Sequence, residues 1–506
     1  MMDHPSANAP ATLTVAVCTF NRAALLTRML ASIRGQTCQD FDVLVLDDCS
    51  SDGTSALCEP LVGERFRYVR HATNIGFNAN YNQAIALART SYVLLTHDDD
   101  YMDATFIDYL MKGIVRYPEA ILVTTNVRLV GEDRTAPASA SPLVPSVPNA
   151  LKLTEDVVFA PGEYAKARYW RGLDLYCPTF CFHRRRCLEA QIAFDPIGPG
   201  SDVLIGLRAN LVGPLAVLAE THFNVCTHPG QDHASVVNDL TSGYRLDRVT
   251  VPIARREPTL AAIRPVAQFS LAYHFAKAAT AALLDLPDRP ATAPTETLEQ
   301  RFARHVATLP PELLEPVFAC GRNRVAARLF GHTAPLKDIP RHSAEEWIRS
   351  VPQLSPHLRK WHLANFSALD RLEDLLAGAA PLPSIRPRFL ADRTILIWGV
   401  SYLGIILAEV LHRLRITVAG FVDRNPRLAG ARYRDLVCRN WPDSLAAHAA
   451  PDRELLVFTG VEGALDLDLA LDLLPTHADA PRCVFRSWRT AVDLIEAVAA
   501  GRTAHD

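Results

Sequence analysis

The sequence predicts an α/β chain in three parts: an N-terminal parallel-sheet domain, a helical middle and a second, smaller βαβ region. Three observations carry this. Short apolar runs alternate with helical patterns over the first hundred residues. Residues 241–390 show helical patterns broken by Pro pairs, with no strand alternation. From residue 394 the strand–helix–strand rhythm returns. Alternation of this kind argues for a parallel sheet covered by helices. At 506 residues the chain has room for about three domains. We therefore expect boundaries at 1–240, 241–390 and 391–506, with 379–388 (AAPLPSIRPR) as the linker.

The elements follow in order. LTVAVC (13–18) is the first strand, TFNR a turn, and AALLTRMLASIRGQ a helix. FDVLVLD (41–47) and FRYVR (66–70) read as strands, 78–89 as a helix, and SYVLLT (91–96) as a buried strand. Residues 131–150, rich in Pro, Ser and Ala, read as a mobile loop or lid. Near the C-terminus, TILIWG, a helix over about 403–414 and ITVAGFVD complete the pattern.

Composition excludes several classes. Apolar residues make up 49% and charged residues 21%, which excludes a mostly disordered chain. A formal net charge of −3 gives no footprint for nucleic acid. No basic stretch followed by an apolar run opens the chain, so no signal peptide is expected. The best membrane candidate, 262–285, is interrupted by Arg264, His274 and Lys277. Eleven scattered cysteines read as reduced cytoplasmic thiols. Cys177, Cys181 and Cys187 fit no zinc spacing and are expected to be buried thiols.

Ligands of a parallel sheet sit beyond the carboxyl ends of its strands. Thr19, Phe20, Asn21 and Arg22 follow the first strand, and DDCSSDGT (47–54) follows the second. Asn74, Ile75 and Gly76 precede a helix, and His97, Asp98, Asp99 and Asp100 follow SYVLLT. Asp202 ends GPGSD, and His228 opens HPGQ. Three consecutive carboxylates repel one another unless a cation or solvent compensates, and oxygen donors suit Mg²⁺ or Mn²⁺. The alternative is a solvated turn that caps the following helix. Asp52 reads as a helix cap, because Asp-Gly-Thr starts a helix.

Taken together, this ordered series resembles the family-2 glycosyltransferases, which have the GT-A fold. CTFNR, VLDDCSSDGT, NIGFNANYN, LLTHDDDYM and FDPIGPGSDVLIGLR stand in the family's order across roughly residues 12–240. The resemblance implies a cytoplasmic, metal-dependent, inverting glycosyltransferase. Its donor would be a nucleotide-sugar, a UDP- or dTDP-sugar, and its acceptor a glycan or lipid-linked hydroxyl. Thr19, Phe20, Asn21, Arg22, Asp48, Asn74, Gly76 and Asp98 would hold the donor. Phe20 would pack beside the base where the family usually has Tyr, and Asp48 would accept from the base. The metal (Mn²⁺ or Mg²⁺) would be held by Asp99 and Asp100, with His228 completing the sphere; a buried His228 is the alternative. Two registers stay open: one makes Asp99 the ligand and puts His97 where the family has Asp, weakening a contact to the donor; the other pairs Asp98 with Asp100. Asp202 would be the general base, with an N-cap role as its alternative. Trp170, Arg171, Pro178 and Thr179 would build an acceptor wall, although Trp170 reads equally as core. Peripheral membrane contact and homo-oligomerisation are compatible with this reading.

The C-terminal region resembles small Rossmann-like modules. Gly399, Ser401 and Gly404 occupy G-x-G-x-x-G positions, and Asp423 closes the next strand. Ser401 replaces the glycine that admits a pyrophosphate, so a scaffold is expected before a nucleotide site. The rivals are an NAD(P)-dependent sugar oxidoreductase or epimerase in this region, for which no Tyr-x-x-x-Lys pair is present, and a non-catalytic sugar-binding protein.

Overall fold

The computed structural model describes residues 12–132, 143–227, 235–286, 296–349, 356–377, 393–423, 425–440, 454–459 and 483–487, with 489, 490, 492, 493 and 496. Two compact units divide the chain. One comprises 1–234 with 253–263, and the other 235–252 with 264–506.

The first unit is built on a ten-stranded mixed sheet. Its strands are β1 (Leu13–Thr19), β2 (Asp42–Asp47), β3 (Phe66–Arg70), β4 (Tyr92–His97), β5 (Tyr101–Met102), β6 (Leu122–Glu132), β7 (Leu143–Val147), β8 (Val157–Phe159), β9 (Cys181–His183) and β10 (Leu215–Thr227). The main path runs β3-β2-β1-β4-β9-β6-β10-β5, with β7 on β6 and β8 on β10. β3, β2, β1 and β4 are parallel, and β9 enters antiparallel to both β4 and β6. All seven residues of β1 are buried, as a strand flanked on both edges and covered on both faces requires. Helix Ala23–Arg34 lays Leu26, Met29, Leu30 and Ile33 into a core shared with Phe106, Ile107, Leu110 and Ile114 of helix Phe106–Arg116.

One expectation needs correction. The Pro- and Ser-rich segment 131–150 is not all loop, because β7 pairs antiparallel with β6. Pro145 is tolerated because, among the described residues, β7 pairs only with β6 and lies on an edge. Residues 133–142 lie outside the described residues.

The second unit takes in residues 236–252 of helix Val236–Arg256 and the helices Arg264–Leu283, Leu298–Val306, Gly321–Leu329 and Pro356–Ala377, among others. Its sheet contains β11 (Arg393–Trp398), β12 (Gly420–Asp423), β13 (Arg432–Tyr433), β14 (Leu436–Asn440), β15 (Glu454–Thr459) and β16 (Cys483–Ser487), in the order β13-β14-β12-β11-β15-β16. β14, β12, β11, β15 and β16 are parallel. The helices and this sheet share one unit: Asp285 and Arg432 exchange two backbone hydrogen bonds of 2.9 Å. Among the described residues, no helix is long and apolar enough to cross a membrane.

Candidate functional site

β1 is flanked by β2 on one side and β4 on the other, so the strand order reverses at β1/β4. The crevice beyond the carboxyl ends at such a reversal is where α/β sheets bind ligands. Two turns meet there: Thr19–Arg22 after β1 and His97–Asp100 after β4.

The first turn is shaped by Asn21, which holds a left-handed φ of 52°. Its backbone N–H donates to Ser50 Oγ at 2.8 Å, and its side-chain oxygen accepts from the Ser51 N–H at 2.7 Å. Asp52 accepts from the first N–H of each of two helices, Ala23 at 2.9 Å and Thr54 at 3.0 Å, and from the Thr54 hydroxyl, while the N-cap positions themselves are Arg22 and Gly53. These bonds hold its carboxyl below its ordinary range. Asp52 was expected as the cap of the helix begun by Asp-Gly-Thr; it bonds that helix's first N–H from the position before the N-cap Gly53. Phe20 is left 43% exposed on the rim.

Asp48 is buried, and both of its oxygens are engaged by backbone: Ile75 N–H at 2.7 Å and Gly76 N–H at 2.9 Å. The Asn74 side chain also accepts from the Gly76 N–H, at 3.0 Å. Gly76 has φ +82°, a conformation that glycine alone adopts without strain. Asp48 therefore anchors the 74–76 loop from 27 residues upstream.

All three consecutive aspartates are buried. Asp98 has both oxygens engaged: Thr19 Oγ1 donates to Oδ2 at 2.7 Å, and Arg22 lies 3.3 Å from Oδ1. Burial and the neighbouring Asp99 push its carboxyl up to about 6, against the pull of Arg22 and Thr19. Arg22 also lies 3.3 Å from Asp99 Oδ2, and Arg28 donates to the Asp99 carbonyl. Asp100 Oδ1 accepts from the Cys226 N–H at 2.9 Å, whereas Oδ2 is buried and takes no hydrogen bond. His97 Nδ1 stands 3.7 Å from that oxygen. Burial, reinforced by Asp99, raises the Asp100 carboxyl.

His97, Asp99 and Asp100 each present a donor atom, and these atoms lie within 4.8 Å of one another. Two carboxylates and an imidazole form a donor set that suits a divalent cation, and the buried, unbonded Asp100 oxygen is the cost such an ion removes. Of the expected metal residues, Asp99 and Asp100 are thus brought together; His228 lies outside the described residues. The sequence reading missed His97 as a donor, since it stood where an acid was expected. It also missed Tyr81, whose ring stacks on His97 at 5.8 Å and contacts Phe194 at 5.1 Å. The i,i+4 spacing of Phe77 and Tyr81 on one helix was the available signal.

Asp202 sits in the first turn of helix Ser201–Val212, after Gly200 at φ +101°. Burial raises its carboxyl, and His97 acts on it electrostatically in the opposite sense, so Asp202 shares the field of the cluster. Ser201 donates to Asn78 Oδ1 at 2.7 Å and ties this turn to helix Phe77–Leu87. Arg171 is exposed, and Trp170 is half-buried with an unbonded Nε1. Pro178 and Thr179 lie in the core, where the Thr179 hydroxyl meets Thr124 Oγ1 at 2.7 Å.

Comparison with known proteins bears on this unit. Residues 14–188 match the family model described as glycosyl transferase family 2. This segment is a family-2 glycosyltransferase domain. The domain carries both turns of the crevice and the whole His97–Asp100 group. An uncharacterised protein of Mycobacterium tuberculosis is 32% identical over 93 residues, 18% of this chain and 29% of that protein. The GalNAc(5)-diNAcBac-PP-undecaprenol beta-1,3-glucosyltransferase of Campylobacter jejuni is 33% identical over 103 residues, 20% of this chain and 33% of that enzyme. The chain spans about a third of the length of the curated relatives it matches. Among solved structures, S. aureus TarS 1–349 in complex with UDP-GlcNAc aligns at a TM-score of 0.45 and 15% identity, over 72% of this chain and 92% of that one.

In the second unit, Gly399 has φ +98° and donates to the Val422 carbonyl at 2.8 Å. Ser401 caps helix Tyr402–Arg413 by accepting from the Gly404 N–H at 3.2 Å. Asp423 accepts from the N–H groups of Val400, at 2.9 Å, and Asn425, at 2.8 Å. A Cβ on Gly404 would stand 2.2 Å from the Gly399 carbonyl oxygen, so helix and strand pack through glycine.

Proposed function

We propose that the chain is a metal-dependent, inverting glycosyltransferase that moves a sugar from a nucleotide-sugar donor to an acceptor hydroxyl. The observation that carries this is the meeting of His97, Asp99 and Asp100 donor atoms beyond β4, inside a family-2 glycosyltransferase domain. The donor is a UDP- or dTDP-sugar, with Phe20 packing beside the base and the Asp48-anchored loop Asn74–Gly76 fixing the nucleotide's position. Asp98 is locked to Thr19 and Arg22, which favours Asp99 and Asp100 as the metal-holding acids. A bound Mn²⁺ or Mg²⁺ supplies neutralisation of the charge that builds on the departing diphosphate.

The chain's own residues do the rest. The acceptor oxygen attacks the anomeric carbon from the face opposite the diphosphate, and the bond to the diphosphate breaks. Asp202 takes the acceptor's proton. Burial raises its carboxyl, which makes its ionised form a stronger base than an exposed aspartate. Displacement in one step inverts the anomeric centre. A lipid-linked acceptor is favoured by the relative named for an undecaprenol-linked substrate.

In the second unit, the engagement of Asp423 and Ser401 by backbone N–H groups supports a scaffold in preference to an NAD(P) site. The test is release of nucleoside diphosphate from a panel of nucleotide-sugars, with Mn²⁺ and with EDTA. Release confined to the metal-containing reactions supports the reading; release of equal rate in EDTA overturns its metal dependence.

A further inference from the structure

Resting on the metal-dependent reading above, we propose that His97 is itself a metal ligand, through Nδ1, and that this nitrogen makes the site select Mn²⁺ over Mg²⁺.

The first ground is what is left over once the acids are accounted for. Asp98 has both oxygens committed, to Thr19 and Arg22. Asp100 commits Oδ1 to the Cys226 N–H, and its Oδ2 is buried without a hydrogen bond. The atom facing that oxygen is His97 Nδ1, at 3.7 Å, too long for a hydrogen bond and short enough for one ion to serve both. Asp99 completes the set, with all three donor atoms within 4.8 Å of one another. A buried carboxylate oxygen left unbonded is costly, and a cation shared with His97 and Asp99 removes that cost for Asp100.

The second ground is that the ring is held. Tyr81 stacks on His97 with centroids 5.8 Å apart and planes 21° apart. Tyr81 is packed in turn on Phe194, at 5.1 Å. A stacked imidazole keeps one edge toward Asp100, as a ligating histidine needs; Tyr81 is a positioning residue. The ligating form is the neutral tautomer with its proton on Nε2.

Selectivity follows from donor chemistry. Mg²⁺ is hard, small, and reluctant to exchange water for nitrogen, whereas imidazole suits transition ions. An acid at position 97 would give an all-oxygen set and little discrimination. With histidine there, the set is mixed, and Mn²⁺ gains a bond that Mg²⁺ does not.

The test uses the full chain without donor. Mn²⁺ binding is read by electron paramagnetic resonance, with Mg²⁺ as competitor, for the native chain, His97→Asp and Tyr81→Leu, each checked for folding by circular dichroism. Electron spin echo modulation then reports nitrogen bonded directly to Mn²⁺. We expect ¹⁴N modulation in the native chain and its loss in His97→Asp, with the Mn²⁺/Mg²⁺ affinity ratio falling by about tenfold in that variant. Tyr81→Leu should weaken Mn²⁺ binding while keeping the ¹⁴N signal. Mn²⁺ binding without ¹⁴N modulation, or an unchanged ratio in His97→Asp, overturns the role of His97 and leaves the metal reading standing. No Mn²⁺ binding by the native chain overturns both.

Discussion

Thr19 donates a 2.7 Å hydrogen bond to Asp98, and both residues are buried. One hydroxyl thereby joins the carboxyl ends of β1 and β4 at the reversal of strand order. It also presets the acidic turn, because Asp98 fixes the backbone that carries Asp99 and Asp100. Thr19→Val keeps the shape and removes the donor. Hydrogen bonds to charged groups contribute roughly 1.5–3 kcal/mol, so the variant should lose about 2 kcal/mol in denaturant unfolding. Thr19→Ser should recover most of it.

Asp202→Asn keeps the size of the side chain and removes the base. Transfer should fall by at least about a hundredfold, the low end of what a positioned base contributes. Nucleotide-sugar binding, measured by calorimetry, should be unchanged. Turnover near that of the native chain would remove Asp202 from the mechanism.

Gly404→Ala places a methyl 2.2 Å from the Gly399 carbonyl oxygen, a backbone atom that cannot turn away. Helix Tyr402–Arg413 must then lift from β11. Overpacking of this kind costs about 1–3 kcal/mol, and a lowered thermal midpoint is the expected readout. An unchanged midpoint would mean that helix and strand do not meet through this glycine.

His305 supplies the pH dependence. It is buried, stacks on Phe275 at 4.5 Å and donates from Nε2 to the Phe275 carbonyl at 3.1 Å. Burial lowers it from 6.5 to about 4. Between these values the unfolded chain binds a proton that the folded chain does not, so stability falls as pH drops from 6.5 toward 4. The full shift corresponds to about 3 kcal/mol at 1.36 kcal/mol per unit. His305→Gln, which keeps an N–H donor, should flatten the acid limb of the stability–pH curve by about one proton over that window.

Much of the fold was legible because its strands are apolar runs closed by polar turns. LTVAVC, FDVLVLD, FRYVR and SYVLLT mark β1 to β4 within a residue or two. Tyr101–Met102 is too short to carry a pattern, and β10 breaks period two because its register shifts between Leu218, Thr221 and Asn224. β7 was hidden by Pro145, which reads as a breaker until the strand is seen to lie on an edge. In the site, the residue types pointed to the right turns, while their partners were invisible. Asp48 was expected to accept from a base; its carboxylate also closes on the Ile75 and Gly76 N–H groups, a pairing that no local pattern encodes. His97 was read as a lost acid because its stacking on Tyr81 exists only once helix Phe77–Leu87 packs against β4.

The central claim is a donor site at the β1/β4 crevice that works with a metal held by Asp99. A thermal-shift panel of the full chain with UDP, GDP, dTDP, CDP, NAD and NADP, each with and without Mn²⁺, tests it most directly. A ligand at 100 times its dissociation constant adds about 2.7 kcal/mol to stability. We predict that UDP or dTDP stabilises the chain only with Mn²⁺, and that Asp99→Ala abolishes the effect. Stabilisation by NAD or NADP alone, or by a nucleoside diphosphate equally well in EDTA, would contradict the account.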